Sequence, residues 1–152
     1  MEVKLIKITK EKLRNPPVSM TGVTFGTQFT NHMFCMEWEE GKGWHNAQIK
    51  PYGPLKIEPS AMVLHYAQMS FEGLKAYHTE SGQNVLFRPR ENFKRMNLTS
   101  IRMCMPEIDV EEVLVALKQL LCIDSNWILL HLIHGDISRG LMGPLSRYQN
   151  IG

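Results

Sequence analysis

An amphipathic pattern between residues 109 and 121 constrains the fold of this 152-residue chain more than any other feature. Apolar side chains recur there at intervals of three and four residues, which places them on one face of a helix. They are Val110, Val113, Leu114, Leu117, Leu120 and Leu121. Asp109 and Glu112 have the spacing of a capping box at the first turn. This helix must bury its apolar face against a core that the rest of the chain supplies.

Strand-type residues precede this helix. Four segments have this character: 25–30, 33–38, 74–77 and 85–87. Glycine-rich residues 40–43 predict a turn after the second segment, and Ser81-Gly82 predicts a turn between the last two. The strands do not alternate regularly with helices, which favours an α+β fold with mostly antiparallel strands over a doubly wound parallel sheet.

Two further helices complete a set of about three. One is predicted between Ser60, as the N-cap, and Gly73, as the residue after the C-cap. The other begins at Pro89, where the missing N–H of proline costs nothing. Phe93, Met96 and Ser100 share one face of this second helix. Residues 1–19 precede the predicted domain as a basic arm, 20–127 form the domain, and 128–152 are expected to be a flexible tail.

Composition and charge argue against several classes of protein. The chain is 43% hydrophobic and 21% charged, with 17 basic and 15 acidic side chains, so neither disorder nor nucleic-acid binding is favoured. Its apolar runs, such as residues 127–130, are far shorter than the roughly 20 residues of a membrane span. The odd number of cysteines, three, predicts unpaired and mostly buried thiols in a reducing compartment. We therefore expect a soluble, cytoplasmic protein without a membrane or nucleic-acid partner.

Candidate sites are few when the residues are taken alone. His131-x-x-His134 lacks further ligands, so no metal site is predicted. Arg95 lies near the start of a predicted helix, where it suits a phosphate, although an ion pair with Glu91 four residues earlier is the simpler interpretation. Four aromatic residues either line an apolar pocket or fill the core: Phe25, Trp38, Tyr66 and Phe71.

Three segments together resemble a known family. They are Phe25-Gly26-x-x-Phe29-Thr30-x-His32-Met33, followed by Met36-Glu37-Trp38; Leu64-His65-Tyr66-Ala67-x-x-x-Phe71-Glu72-Gly73-Leu74-Lys75-Ala76-Tyr77; and Leu86-Phe87-Arg88-Pro89-x-x-Asn92-x-x-Arg95-Met96. In this order and spacing they are similar to the N-terminal small domain of branched-chain amino-acid aminotransferases, enzymes of fold type IV that use pyridoxal 5′-phosphate (PLP). The resemblance covers residues 25–127.

The resemblance implies specific roles. Arg95 corresponds to the arginine that binds the cofactor phosphate, a geometry that a guanidinium suits. Phe25, Tyr66 and Phe71 correspond to the walls of the pocket for a leucine, isoleucine or valine side chain. His32, Glu37 and Trp38 are expected to belong to the framework. The family transfers the amino group to 2-oxoglutarate and works as a dimer, so a homodimer, or a heterodimer with a full-length subunit, is implied.

The chain departs from the family pattern after Trp127. The family's catalytic lysine belongs to a second domain, and its Tyr-x-Arg motif does not follow Trp127 here. We therefore expect no catalytic residue in this chain and no transamination by the chain alone. The alternative is a non-catalytic truncated isoform that binds full-length aminotransferase subunits. D-amino-acid aminotransferases and aminodeoxychorismate lyases share the fold, but the segment from Phe71 to Ala76 favours the branched-chain enzymes.

Overall fold

The computed structural model describes residues 1–18, 23–24 and 26–128. Its strands are β1 (Lys4–Leu5), β2 (His32–Glu39), β3 (Gly43–Pro51), β4 (Ala76–His78) and β5 (Asn84–Leu86), and its helices are α1 (Met62–Tyr66), α2 (Pro89–Arg102) and α3 (Val110–Ile123). Short 3-10 turns cover Lys10–Lys12 and Ser125–Trp127. The predicted tail, apart from Ile128, and Phe25 lie outside the described residues.

The strands form two small sheets. In the first, β3 is central, with β2 antiparallel on one side and the short β1 parallel on the other. A tight turn joins β2 to β3, and both Gly41 and Gly43 adopt positive φ angles there, at +78° and +73°. In the second sheet, β4 and β5 form an antiparallel hairpin in which Ala76 faces Leu86. The predicted α+β fold with mostly antiparallel strands is confirmed.

Helix α3 is the wall shared by both parts of the core. Its Val113, Leu114 and Leu117 pack in one cluster, which also contains Leu74, Phe93, Met96 and Ile108. Its Ala116 and Leu120 pack in a second cluster, with Phe34, Ala47 and Ile49 from the first sheet. Helix α2 and the first sheet are thus both held against the apolar face that the sequence predicts for residues 110–121.

The starts of α2 and α3 agree with the sequence signals. Arg88 adopts a left-handed conformation, with φ of 46°, and Pro89 is the first residue of α2. The Asp109 side chain caps α3 by accepting a 2.9 Å hydrogen bond from the Glu112 backbone N–H. Phe93, Met96 and Ser100 are all buried on one face of α2, as predicted.

The predicted helix from Ser60 to Gly73 is wrong. Helix α1 has only five residues; Ala61 is its N-cap, and it ends where Ala67 enters the left-handed region at φ 49°. Burial then alternates strictly over residues 70–74, with Ser70, Glu72 and Leu74 inside. Such alternation belongs to extended chain, so the apolar spacing read as helical reflects two different local conformations.

Two further expectations are also wrong. The described part of the first predicted strand, residues 26–30, forms a turn and a loop; the Thr27 backbone N–H and hydroxyl both donate to the Thr24 carbonyl. This local turn uses the Thr27 backbone N–H, which a strand would need for a sheet partner. The cysteines are not mostly buried, since Cys104 and Cys122 are exposed and Cys35 is half-buried.

Two asparagines fix loop backbone by bracketing a distant residue. Asn31 accepts from the backbone N–H of Arg14 at 2.9 Å and donates to its carbonyl at 3.0 Å. Asn97, on α2, binds the N–H and carbonyl of Ile108 in the same way, with both distances 2.9 Å. Each amide replaces the partner that a strand would offer, so the bracketed peptide groups are satisfied outside any sheet.

A buried polar pair joins the first sheet to the end of α3. Asp124 accepts from the His32 backbone N–H and from its ring Nδ1, each at 2.8 Å, and both side chains are about 5% exposed. The Ile8 N–H donates to His32 Nε2 at 3.0 Å, so the ring proton is on Nδ1. The prediction that His32 belongs to the framework is confirmed.

Candidate functional site

The predicted phosphate-binding arginine is held by a carboxylate. Arg95, in the second turn of α2, donates from Nε to Glu72 Oε1 and from Nη2 to Glu72 Oε2, with both distances 2.6 Å. This is a two-pronged contact, in which the planar guanidinium and the carboxylate lie edge to edge. Glu72 comes from the extended segment before β4, 23 residues earlier in the chain.

The two partners differ sharply in exposure. The Glu72 side chain is 8% exposed, whereas that of Arg95 is 66% exposed. Hydrogen bonding to Arg95, opposed by burial and assisted by Asn92, lowers the pKa of Glu72. The same contact raises the pKa of Arg95. The fold therefore keeps a buried carboxylate ionised and presents the charged guanidinium at the surface.

Asn92 completes the connection between α2 and the segment before β4. Its amide nitrogen donates to Glu72 Oε2 at 3.2 Å and to the Gly73 carbonyl at 2.9 Å. Asn92 and Arg95 are three residues apart and hence on the same face of the helix. Glu72 and Asn92 have no assigned role in the sequence analysis, although both stand at fixed positions of the motifs that carry the resemblance.

The predicted ion pair between Glu91 and Arg95 is wrong. Glu91 instead accepts from Lys94 Nζ at 3.1 Å, and Arg95 turns to Glu72. A buried carboxylate has lost most of its water, so it gains more from a guanidinium than an exposed one does. Helical spacing favours Glu91, and the tertiary fold overrides it.

The exposed side of Arg95 has room for an anion. Glu72 takes two of the five N–H donors of the guanidinium, which leaves three. An open depression of about 370 Å³ lies on this face of α2 and is lined by Glu91, Asn92, Lys94, Arg95 and Leu98. A phosphate group fits this donor set, since its oxygens accept several charge-assisted hydrogen bonds from one guanidinium.

The predicted pocket residues lie at the surface. Tyr66 is 74% exposed and Phe71 is 82% exposed, and neither belongs to the two core clusters. The alternative that they fill the core is therefore wrong for both. Trp38 is half-buried in β2, and Phe25 lies outside the described residues. Over residues 1–18, 23–24 and 26–128, no cluster of three metal-binding side chains and no helix capable of crossing a membrane is present.

The known proteins that this chain resembles include two from Bacillus subtilis. The chain is 44% identical over 128 residues to the branched-chain-amino-acid aminotransferase 2 of Bacillus subtilis (strain 168), which covers 84% of this chain and 35% of that protein. It is 46% identical over 125 residues to the branched-chain-amino-acid transaminase 1 of the same strain, covering 82% of this chain and 35% of that protein. No family model matches the chain. The chain spans about a third of the length of these curated relatives, and over that third it is similar in sequence to branched-chain-amino-acid aminotransferases.

Proposed function

We propose that this chain provides the part of a branched-chain aminotransferase that binds the phosphate of PLP and receives the substrate side chain. One observation carries the proposal: in a chain that is similar to this family, the exposed Arg95 guanidinium is held in a fixed orientation with three donors directed away from Glu72. When bound, PLP supplies an electron sink for reactions at the α-carbon of an amino acid. We place the aminotransferase domain at residues 20–127.

Arg95 acts as the phosphate ligand in this proposal. A guanidinium stays charged at every physiological pH and offers planar pairs of donors, which suit phosphate oxygens. The contribution of the chain is binding and orientation. We assign no catalytic residue to it.

Phe25, Tyr66 and Phe71 are proposed to contact the side chain of leucine, isoleucine or valine, with 2-oxoglutarate as the amino acceptor. Tyr66 and Phe71 present large apolar surfaces to solvent, and covering such a surface with a branched aliphatic group is favourable by about 25 cal/mol per Å². A polar side chain would gain nothing from these walls.

The phosphate assignment is tested by binding. Isothermal titration calorimetry compares pyridoxine 5′-phosphate with pyridoxine, because neither carries an aldehyde that would react with surface lysines. We expect the chain to prefer the phosphorylated compound, and Arg95→Ala to abolish the preference. Arg90→Ala, which removes another arginine of α2, serves as the control and keeps it. Equal binding of both compounds to the unmodified chain contradicts the proposal.

A second function is favoured by the exposed aromatic side chains. Tyr66, Phe71 and Phe87 are each at least 74% exposed, and such surface is typical of protein contacts. We propose, as the alternative, that the chain binds full-length aminotransferase subunits without catalysing the reaction itself. Co-elution with a longer relative on size exclusion tests this role, and Phe71→Ser is expected to weaken it. Separate elution at micromolar concentrations rejects it.

A further inference from the structure

We infer that Glu72 is a positioning residue for the anion site: its buried carboxylate fixes the Arg95 guanidinium before any anion binds, with the remaining donors facing solvent. The inference rests on the proposed phosphate-binding role of Arg95 and extends it to a residue that touches neither phosphate nor substrate. Asn92 assists by holding the same carboxylate from the neighbouring turn of α2.

A second ion pair on α2 shows what is special about Glu72. Arg90 binds Glu111 with the same two-pronged geometry, at 2.6 and 2.8 Å. Both of these side chains are more than half exposed, so this contact is an ordinary surface pair. Glu72 differs because it is 8% exposed and accepts from two residues. Removing a carboxylate from water is unfavourable, and here the structure does so beneath an arginine that stays exposed.

Considered by charge alone, Glu72 should weaken anion binding at Arg95. A carboxylate in contact with Arg95 cancels much of its positive field and repels an incoming phosphate. Orientation works the other way, since a long arginine side chain that is already immobilised loses less conformational entropy when the anion binds. Neutralising Glu72 therefore separates the two effects by sign: a tighter complex if charge dominates, and a weaker one if orientation dominates.

The same carboxylate anchors the segment that carries Phe71. Burial alternates along residues 70–74, so fixing Glu72 inside directs Phe71 outward, where it is 82% exposed. Glu72 thereby joins the proposed phosphate ligand to one proposed wall of the substrate pocket. Loss of the carboxylate is expected to make both the Arg95 guanidinium and the Phe71 side chain more mobile.

The experiment measures pyridoxine 5′-phosphate and pyridoxine binding by calorimetry for the full chain and for Glu72→Gln, Glu72→Asp, Arg95→Ala and Glu111→Gln. We expect Glu72→Gln to weaken the binding of pyridoxine 5′-phosphate about three- to tenfold, because one side chain is then no longer immobilised before the anion binds. Pyridoxine binding should not change. Glu111→Gln, the matched control, removes the same charge from the exposed pair and is expected to leave both affinities within error.

Glu72→Asp keeps the charge but withdraws the carboxylate by one methylene group. Its affinity for pyridoxine 5′-phosphate is expected to lie between those of the unmodified chain and Glu72→Gln. If Glu72→Gln does not fold, Glu72→Asp provides the test. The NMR signal of Arg95 Nε–H gives a second readout: slow exchange with solvent in the unmodified chain, and fast exchange in Glu72→Gln, where the ionic hydrogen bond is lost.

Two failures are distinguishable. If the unmodified chain does not prefer the phosphorylated compound, the role of Arg95 is wrong, and the inference about Glu72 falls with it. If that preference exists and Arg95→Ala removes it, but Glu72→Gln binds equally or more tightly, the inference alone is overturned. The inference is also overturned if Glu72→Asp binds pyridoxine 5′-phosphate as tightly as the unmodified chain does.

Discussion

Replacing Asp124 by Asn is expected to destabilise the fold, although the two side chains are almost equal in size. Asp124 accepts two hydrogen bonds from His32, one from the backbone and one from the ring, and both side chains are buried. An amide has one oxygen to accept and a nitrogen that only donates. If the oxygen serves the backbone N–H, the amide nitrogen faces the protonated Nδ1 of His32.

Moving the ring proton does not solve this conflict. With the proton on Nε2, the His32 ring accepts from the amide at Nδ1, but it then opposes the backbone N–H of Ile8, which is 3.0 Å away. Two donors therefore face each other without an acceptor in every arrangement, at a cost of about 1–3 kcal/mol for each buried donor. Asp124→Ala likewise leaves two unpaired donors, the backbone N–H and Nδ1–H of His32, with an expected cost of about 2–6 kcal/mol.

The assay is equilibrium unfolding in urea at pH 7, followed by far-ultraviolet circular dichroism. The matched control is Asp109→Asn, which makes the same change of charge at the N-cap of α3, where Asn is as good a cap as Asp, and is expected to lie within about 0.5 kcal/mol of the unmodified chain. If Asp124→Asn is as stable as this control, the argument that unpaired donors at the His32–Asp124 pair destabilise the fold is refuted.

Three further predictions concern other contacts. The melting temperature of the unmodified chain should exceed that of Glu72→Gln above about pH 4.5, because the ionised form of Glu72 is the one bound to Arg95. The difference between the two melting temperatures should shrink as the pH falls through the lowered pKa of Glu72. Thermal scans from pH 7 to pH 3 test this, and a difference that stays constant contradicts it. Leu117→Ala, at a fully buried position, is expected to cost about 2–5 kcal/mol in urea unfolding, against less than about 0.5 kcal/mol for Val115→Ala on the exposed face of the same helix. Asp109→Ala should cost about 1 kcal/mol, and no loss of stability would show that the cap contributes nothing.

Local signals in the sequence predict the parts of the fold that local forces determine. Helix α3 has a cap, an apolar face and no interruption, so its period is enough to place it from Val110. Pro89 marks the start of α2 for an equally local reason. Residues 60–73 mislead because a short helix and an extended segment stand side by side, and their apolar positions together imitate one longer helix.

Local sequence signals do not predict contacts between residues that are distant in the chain. The parallel pairing of Lys4 with Gln48 depends on how the whole sheet closes, and nothing in either segment specifies the other. The partner of Arg95 is another case, because helical spacing offers Glu91 while the fold brings Glu72 from 23 residues away. The resemblance to a family identifies Arg95, whereas the carboxylate beneath it emerges only from the tertiary structure.

The Asn97 bracket has a mechanical consequence for the candidate site. Two residues after Arg95, it ties α2 to the peptide just before α3, whose apolar face forms both core clusters. Helix α2 cannot rock on the core without breaking both bonds to Ile108. Under the proposed phosphate-binding role, this tie holds the backbone near Arg95 in place, so the anion would bind a guanidinium whose position is largely set beforehand. Anions of different shape should differ mainly in how fast they leave, with association rates nearly constant.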